Sequence, residues 1–194
     1  VKKKIKKCFL QNVKCYQNFM LKKIVKFFLN LILKRENKKI KFYSNLLLLN
    51  KFHLLDIGAA GEINKRWTAI EKNIMLSLVE PHKKSSIELK NKGFNVNEKI
   101  FYSKENLDLF YYETRKPMCS SILKPNLKYI NNFPEPERFE IQKKVQIKTT
   151  TIDNEFKSGK VPNFVKIDTQ GSELEILKGS TNSLKNILGL EIEC

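Results

Sequence analysis

Four short apolar runs carry an acid at or near their ends: FHLLDIG (52–58), NIMLSLVEP (73–81), FVKIDTQG (164–171) and ILGLEIE (187–193). Runs of this length, bounded by glycine or proline, read as buried strands. NEKIFYS (97–103) reads as a further strand, the third in chain order. Between the strands, HKKSSIELKNKG (82–93) and SELEILKGSTNSLKN (172–186) have helical spacing, and the first of them stops at glycine. Strands alternating with helices predict an α/β fold, a mostly parallel sheet with helices on both faces. Right-handed crossovers then bring the strands' carboxyl ends to one edge. The middle of the chain differs. LDLFYYE (107–113) predicts an extra strand or hairpin arm, and residues 114–139 form a proline-containing loop of a length that usually caps a site. Strand character resumes in VQIKTTTIDNEF (145–156).

With 194 residues, 41% apolar, one main domain with a substantial core is expected. The formal charge of +17 would suggest nucleic acid or an anionic membrane if it covered a face. It is concentrated instead. Residues 1–51 hold 15 basic side chains and one acid, leaving a charge of only +3 on the remaining 143 residues. Within that extension FMLKKIVKFFLNLIL (19–33) predicts a helix. At about 1.5 Å per residue it reaches roughly 22 Å, short of the ~30 Å hydrocarbon core. It reads as a helix packed on the domain or on a partner, with peripheral contact to an anionic membrane as the alternative. KKKIKKCFL lacks the apolar stretch and small-residue cleavage site of a secretory signal. Cys8, Cys15, Cys119 and Cys194 have no CxxC pairing and no histidines at zinc spacing, so no metal site is expected and reduced thiols in a cytoplasmic protein fit. The ending at Cys194, directly after LGLEI, reads as a cut through a strand.

In DIGAAG, Asp56 closes a strand, and Gly58, Ala59 and Gly61 allow a tight turn with close approach to a ligand. A dinucleotide site wants G-x-G-x-x-G, whereas this loop has only G-x-x-G, and it lacks the G-K-[ST] ending of a P-loop. An acid two residues before the first glycine suits the positively charged amino-acid end of S-adenosylmethionine. A plain glycine turn is the structural alternative. Glu80, 22 residues beyond Gly58 at the next strand's end, stands where an acid can accept both hydroxyls of a ribose. Asp168 ends a later strand on the same predicted edge, and Lys166 is placed to fix its carboxylate. The alternative for the turn after it is helix capping, by Asp168 or, better placed, Ser172, with Glu173 and Glu175 near the positive end of the helix dipole.

DIGAAG, VEP, CSSILKPN, KIDTQGSELEILKG and LGLEIE, in this order, resemble the FkbM family of S-adenosylmethionine-dependent methyltransferases from about Phe52 to Cys194. The resemblance implies a Rossmann-like class I methyltransferase sheet of seven strands, with the C-terminal strands missing here. It divides the chain into a basic N-terminal extension with a helix, 1–51, and an FkbM-like methyltransferase domain, 52–194. It places Asp56, Gly58, Ala59 and Gly61 at the methionine end of the cofactor, Glu80 at the ribose and Ser103 at the adenine edge. Ala60 and Glu62 depart from the family's usual Asn, Arg or Gly.

Methyl transfer depends on holding the acceptor in line with the methyl carbon and on a group that removes a proton. Asp168 is the first candidate for that group, His82 the second, and Ser120 and Ser121 are candidate substrate contacts. Members of the family methylate hydroxyls of sugars and small natural products, which implies a glycan or metabolite acceptor. A nucleic-acid methyltransferase is one rival, without the [DN]-P-P-[YFW] motif that holds a flipped base. A non-catalytic, membrane-associated binding module is the other.

Overall fold

The computed structural model of the protein describes residues 38, 52–61, 63, 67, 72, 74–157, 159 and 161–193. The helix expected at 19–33, and all of the extension 1–51 except Lys38, lie outside the described residues.

The first strand, β1 (His53–Ile57), is buried at every position. A strand with no solvent face belongs at the centre of a sheet covered on both sides. That is where it lies. Five parallel strands run in the order β3 (Val96–Asn97), β2 (Met75–Val79), β1, β7 (Phe164–Ile167), β8 (Gly189–Ile192). The sequence order therefore reverses at β1, and the crevice beyond the strand ends at such a switch point is where open α/β sheets bind ligands.

Alternation along the strands sorts the core into two layers. Leu55, Ile57, Val79, Val165 and Ile167 point to one face, where they meet Ile152 of α3 (Ile152–Glu155), Ile176 of α4 (Glu173–Lys178) and Phe101. On the other face Leu78, Val96 and Ala59 pack on Leu89 of α1 (Lys83–Asn91). Each such aliphatic side chain contributes about 1.5–3 kcal/mol on full burial. The expected α/β architecture, with helices on both faces of a mostly parallel sheet, is the one observed.

Two expectations are corrected. NEKIFYS is not one strand: β3 ends at Asn97, and β4 (Ile100–Phe101) joins a second sheet, of order β4, β6 (Ile141–Thr150), β5 (Asp108–Thr114). Asn97 makes the break, its Oδ1 accepting the Lys99 N–H at 2.9 Å while its Nδ2 donates to Glu155 at 3.0 Å. Glu98 secures the elbow to α1 by accepting from Ser86 Oγ at 2.7 Å and Lys90 Nζ at 2.6 Å. The helix predicted over 172–186 is also shorter. It stops at Lys178 because Gly179 lies against the next layer, where a Cβ would sit 2.0 Å from the Tyr102 carbonyl oxygen. A 3-10 turn, Ser183–Lys185, follows separately, and Asp153 holds its start by accepting the Asn182 and Ser183 N–H groups at 2.9 and 2.7 Å.

β5 and β6 pair antiparallel, so the arm expected at 107–113 is half of a hairpin. The proline-containing loop is its connection, with α2 (Leu127–Ile130) near its middle. Among the described residues no helix is long and apolar enough to cross a membrane.

Candidate active site

The site begins where β1 and β7 end side by side. The Asp168 N–H donates to the Ile57 carbonyl at 2.9 Å, continuing the ladder one step past the strands. Gly58 follows with φ +85°, and a Cβ there would lie 1.7 Å from the Asp168 carbonyl oxygen. Only glycine combines that dihedral with that proximity. The Gly58 and Ala59 N–H groups both donate to the Val79 carbonyl, at 2.9 and 3.1 Å, so the DIGAAG loop is laid across the end of β2.

Beneath this loop one cation joins two of the predicted acids. Asp56 and Lys166 are register partners in β1 and β7, and Lys166 Nζ stands 3.1 Å from Asp56 Oδ1 and 3.5 Å from Asp168 Oδ2. Burial pushes the Asp56 carboxyl up from its ordinary value despite the opposing pull of Lys166. Burial would lower the Lys166 ammonium, but Asp56 and Asp168 outweigh it and hold the group above its ordinary value. Asp168 Oδ1 accepts from Gln170 Nε2 at 3.0 Å.

Glu80, the residue after β2, is 2% exposed. Its Oε1 accepts the His82 N–H at 2.7 Å, and its carboxylate also accepts from the Ala60 backbone. Burial dominates these bonds and pushes the carboxyl up to about 7. Tyr111 of β5 is buried nearby; burial, and then the charge of Glu80, drive its hydroxyl far above the ordinary range.

These groups border one cleft of about 770 Å³, counted with the space open to solvent. Gly58, Glu80, Ser120 and Asp168 line it, together with Tyr111 and Glu193. Asp56, Ala59 and Gly61 are not in the lining: Asp56 and Ala59 are buried, and Gly61 is exposed beside Met118. The loop expected to cap a site does contribute to this one, through Pro117, Met118, Ser120 and Ile122.

Three other predicted residues stand outside the lining. His82 is the N-cap of α1, its Nδ1 3.4 Å from the Ser85 N–H that it accepts and 3.3 Å from Ser85 Oγ. Burial lowers its imidazole below the ordinary value, although Glu113 opposes this. Ser121 Oγ donates to the Gln170 carbonyl at 2.9 Å and accepts from the Leu123 N–H at 3.0 Å, clasping the loop to the turn after β7. Ser103 follows β4 and lies against Gly179 at the end of α4. The capping of α4 also differs from expectation. Ser172 makes no side-chain cap; Glu173 Oε1 instead accepts from the Thr169 and Gly171 N–H groups, both at 3.0 Å. Burial opposes its charge, but these backbone donors prevail and hold Glu173 below its ordinary value.

Tyr111 and Glu193 were not among the sequence candidates. Glu193 had a visible signal, since LGLEIE repeats the strand-plus-acid form of the other edge residues. Among the described residues no group of three or more His, Cys, Asp or Glu side chains is arranged to hold a metal ion.

The Methyltransferase FkbM domain matches residues 56–193. The chain belongs to the FkbM methyltransferase family. The sequence is also 51% identical, over 43 residues, to "Hexuronic acid methyltransferase AglP" of Haloferax volcanii. That match covers 21% of this chain and 18% of the relative, so the chain spans less than a fifth of that protein's length. No solved structure matches the chain. The FkbM match begins at Asp56 and closes on Glu193, so the acids of all four strand ends lie within it.

Proposed function

We propose that this FkbM domain transfers a methyl group from S-adenosylmethionine to a hydroxyl of a sugar, a glycan or a small metabolite. The observation that carries the reading is the cleft itself, where the Gly58 turn, the buried Glu80 carboxylate and Asp168 border one space beyond the strand ends.

The residues fit this cofactor. Glu80 accepts from two backbone N–H groups and keeps oxygen lone pairs for further donors, and the vicinal hydroxyls of a ribose are such donors. Asp168 adds negative charge on the side where a cationic amino-acid end gains from it. The Gly58–Ala60 turn presents backbone without a bulky side chain. When bound, the cofactor would supply a methyl group on a positively charged sulfur. The chain's own part is to bind, to orient and to take a proton: Glu80 holds the ribose, Asp168 with Lys166 behind it fixes the polar edge, and Met118 and Ile122 shield the cleft from water. Asp56, held by Lys166, acts on the cofactor through that ion pair rather than from the lining. The relative that acts on hexuronic acid supports a sugar acceptor.

Titration calorimetry of the full chain with S-adenosylmethionine and, separately, with NAD tests the donor. Binding of the first and not the second is expected. Glu80→Ala should weaken binding about 10- to 100-fold, the worth of hydrogen bonds to a charged group. Absence of S-adenosylmethionine binding to the wild-type protein would refute the reading.

A further inference from the structure

We infer that Glu193 takes the proton from the acceptor hydroxyl, and that Asp168 is the residue that positions it. The inference rests on the methyltransferase reading of the cleft and names the group that does the acid–base work there.

Both carboxylates line the cleft. Ile167 and Ile192 are register partners in β7 and β8, so Asp168 and Glu193 are the next pair along. The backbone keeps them together, the Glu193 N–H donating to the Ile167 carbonyl at 3.1 Å. Their environments differ. Asp168 has a donor on each oxygen, Gln170 Nε2 at 3.0 Å and Lys166 Nζ at 3.5 Å, so both of its oxygens are already engaged. Glu193 lies at the exposed rim with its side chain hydrogen-bonded to Asp168. Such a bond between two carboxyl groups needs a proton between them.

Four charged groups face Glu193 or stand behind its neighbour: Asp168 and Lys166 on the β7 side, Glu191 on its own strand, and Asp56 behind Lys166 on β1. The charge of Asp168, then its hydrogen bond and burial, push Glu193 above the ordinary carboxyl range, while Lys166 pulls the other way. Of the two, Glu193 is the one at the rim without a cation or amide donor of its own among the described residues, and so the one placed to receive a proton. In the step itself the acceptor O–H bond breaks and its proton goes to the ionised Glu193. The oxygen's electron pair forms the bond to the methyl carbon, and the carbon–sulfur bond breaks with its pair remaining on sulfur. The sulfonium loses its positive charge and Glu193 its negative one. The proton shared with Asp168 must leave beforehand, so transfer rises with pH along a limb that belongs to the pair.

The test uses the full chain with ¹³C-carboxyl-labelled glutamate, followed by NMR titration, S-adenosylmethionine calorimetry and methyl transfer to a hexuronic acid. Glu193 is expected to titrate above the ordinary range in the wild type and to return to it in Asp168→Asn, which should also move the acid limb of transfer to lower pH. Glu193→Gln should retain cofactor affinity while transfer falls about 10²- to 10⁴-fold. An ordinary titration of Glu193 in the wild type overturns the inference, as does a Glu193→Gln protein that transfers at the wild-type rate. Loss of cofactor binding in the wild type would instead strike the underlying reading, with the titration unaffected.

Discussion

In the parallel sheet the Lys166–Asp56 pair is nearly closed off from water, its side chains 12% and 4% exposed at 3.1 Å. On the β5–β6 arm Arg115 and Glu140 approach more closely, 2.6 Å, yet stand 57% and 46% exposed. Distance alone would rank the second pair higher. Solvent reverses the order, because an exposed pair is screened and entropically costly to hold, whereas one partner of a buried pair cannot be removed without stranding the other. The two regions also do different work. The sheet fixes one wall of the cleft through backbone ladders and buried charge, and the arm supplies its outer wall through a loop that carries exposed Met118, Leu123, Tyr129 and Phe133.

The contrast can be broken most severely at Gly58. Alanine there adds a Cβ 1.7 Å from the Asp168 carbonyl oxygen at a φ of +85°. Strain and overpacking together should cost about 2–6 kcal/mol in urea unfolding. Next comes Lys166→Met, which leaves Asp56 buried without its cation and should cost about 3–5 kcal/mol by the same measurement.

Glu80 gives the pH signature. Its folded value is raised to about 7 from an unfolded 4.5, so the folded state holds the extra proton between them. The stability this contributes is complete below the unfolded value and is lost as pH rises through the folded one, a fall on the order of 3 kcal/mol. Glu80→Gln should flatten that fall in unfolding curves taken from pH 4 to 8. On the arm the effects shrink. Ser121→Ala frees the loop from the Gln170 carbonyl and should lower stability by about 1–2 kcal/mol. Arg115→Ala should change it by less than about 1 kcal/mol, and a larger loss would erase the distinction between the two regions.

What the sequence made legible and what it hid do not follow this division. The ends of β1, β2 and β7 could be read because each couples an apolar run to an acid and then to a turn former. The Lys166–Asp168 pairing followed from alternation, whereas the Asp56–Lys166 pair needed the β1–β7 register. Asn97 hid the elbow between β3 and β4: residues on both sides have strand character, and the break depends on a side chain bonding its own backbone two residues on. His82 gave no capping signal, since histidine is not a favoured N-cap residue. Ser172 gave a false one, because its Oγ donates to Thr169 Oγ1 at 2.8 Å instead of capping the helix. The pairing of Glu193 with Asp168 needed the β7–β8 register, which no linear spacing reveals.

The 26-residue span from Thr114 to Phe139 departs from β5 and returns to β6 at nearly the same point, where the Arg115 N–H meets the Glu140 carbonyl at 2.9 Å. Because its two ends are already joined, its interior is topologically a handle on a finished vessel. Doubling the length of a flexible handle adds only about 0.6 kcal/mol of closure entropy. The outer wall of the cleft can therefore change in length at little cost in closure entropy, while the acids beneath stay in register.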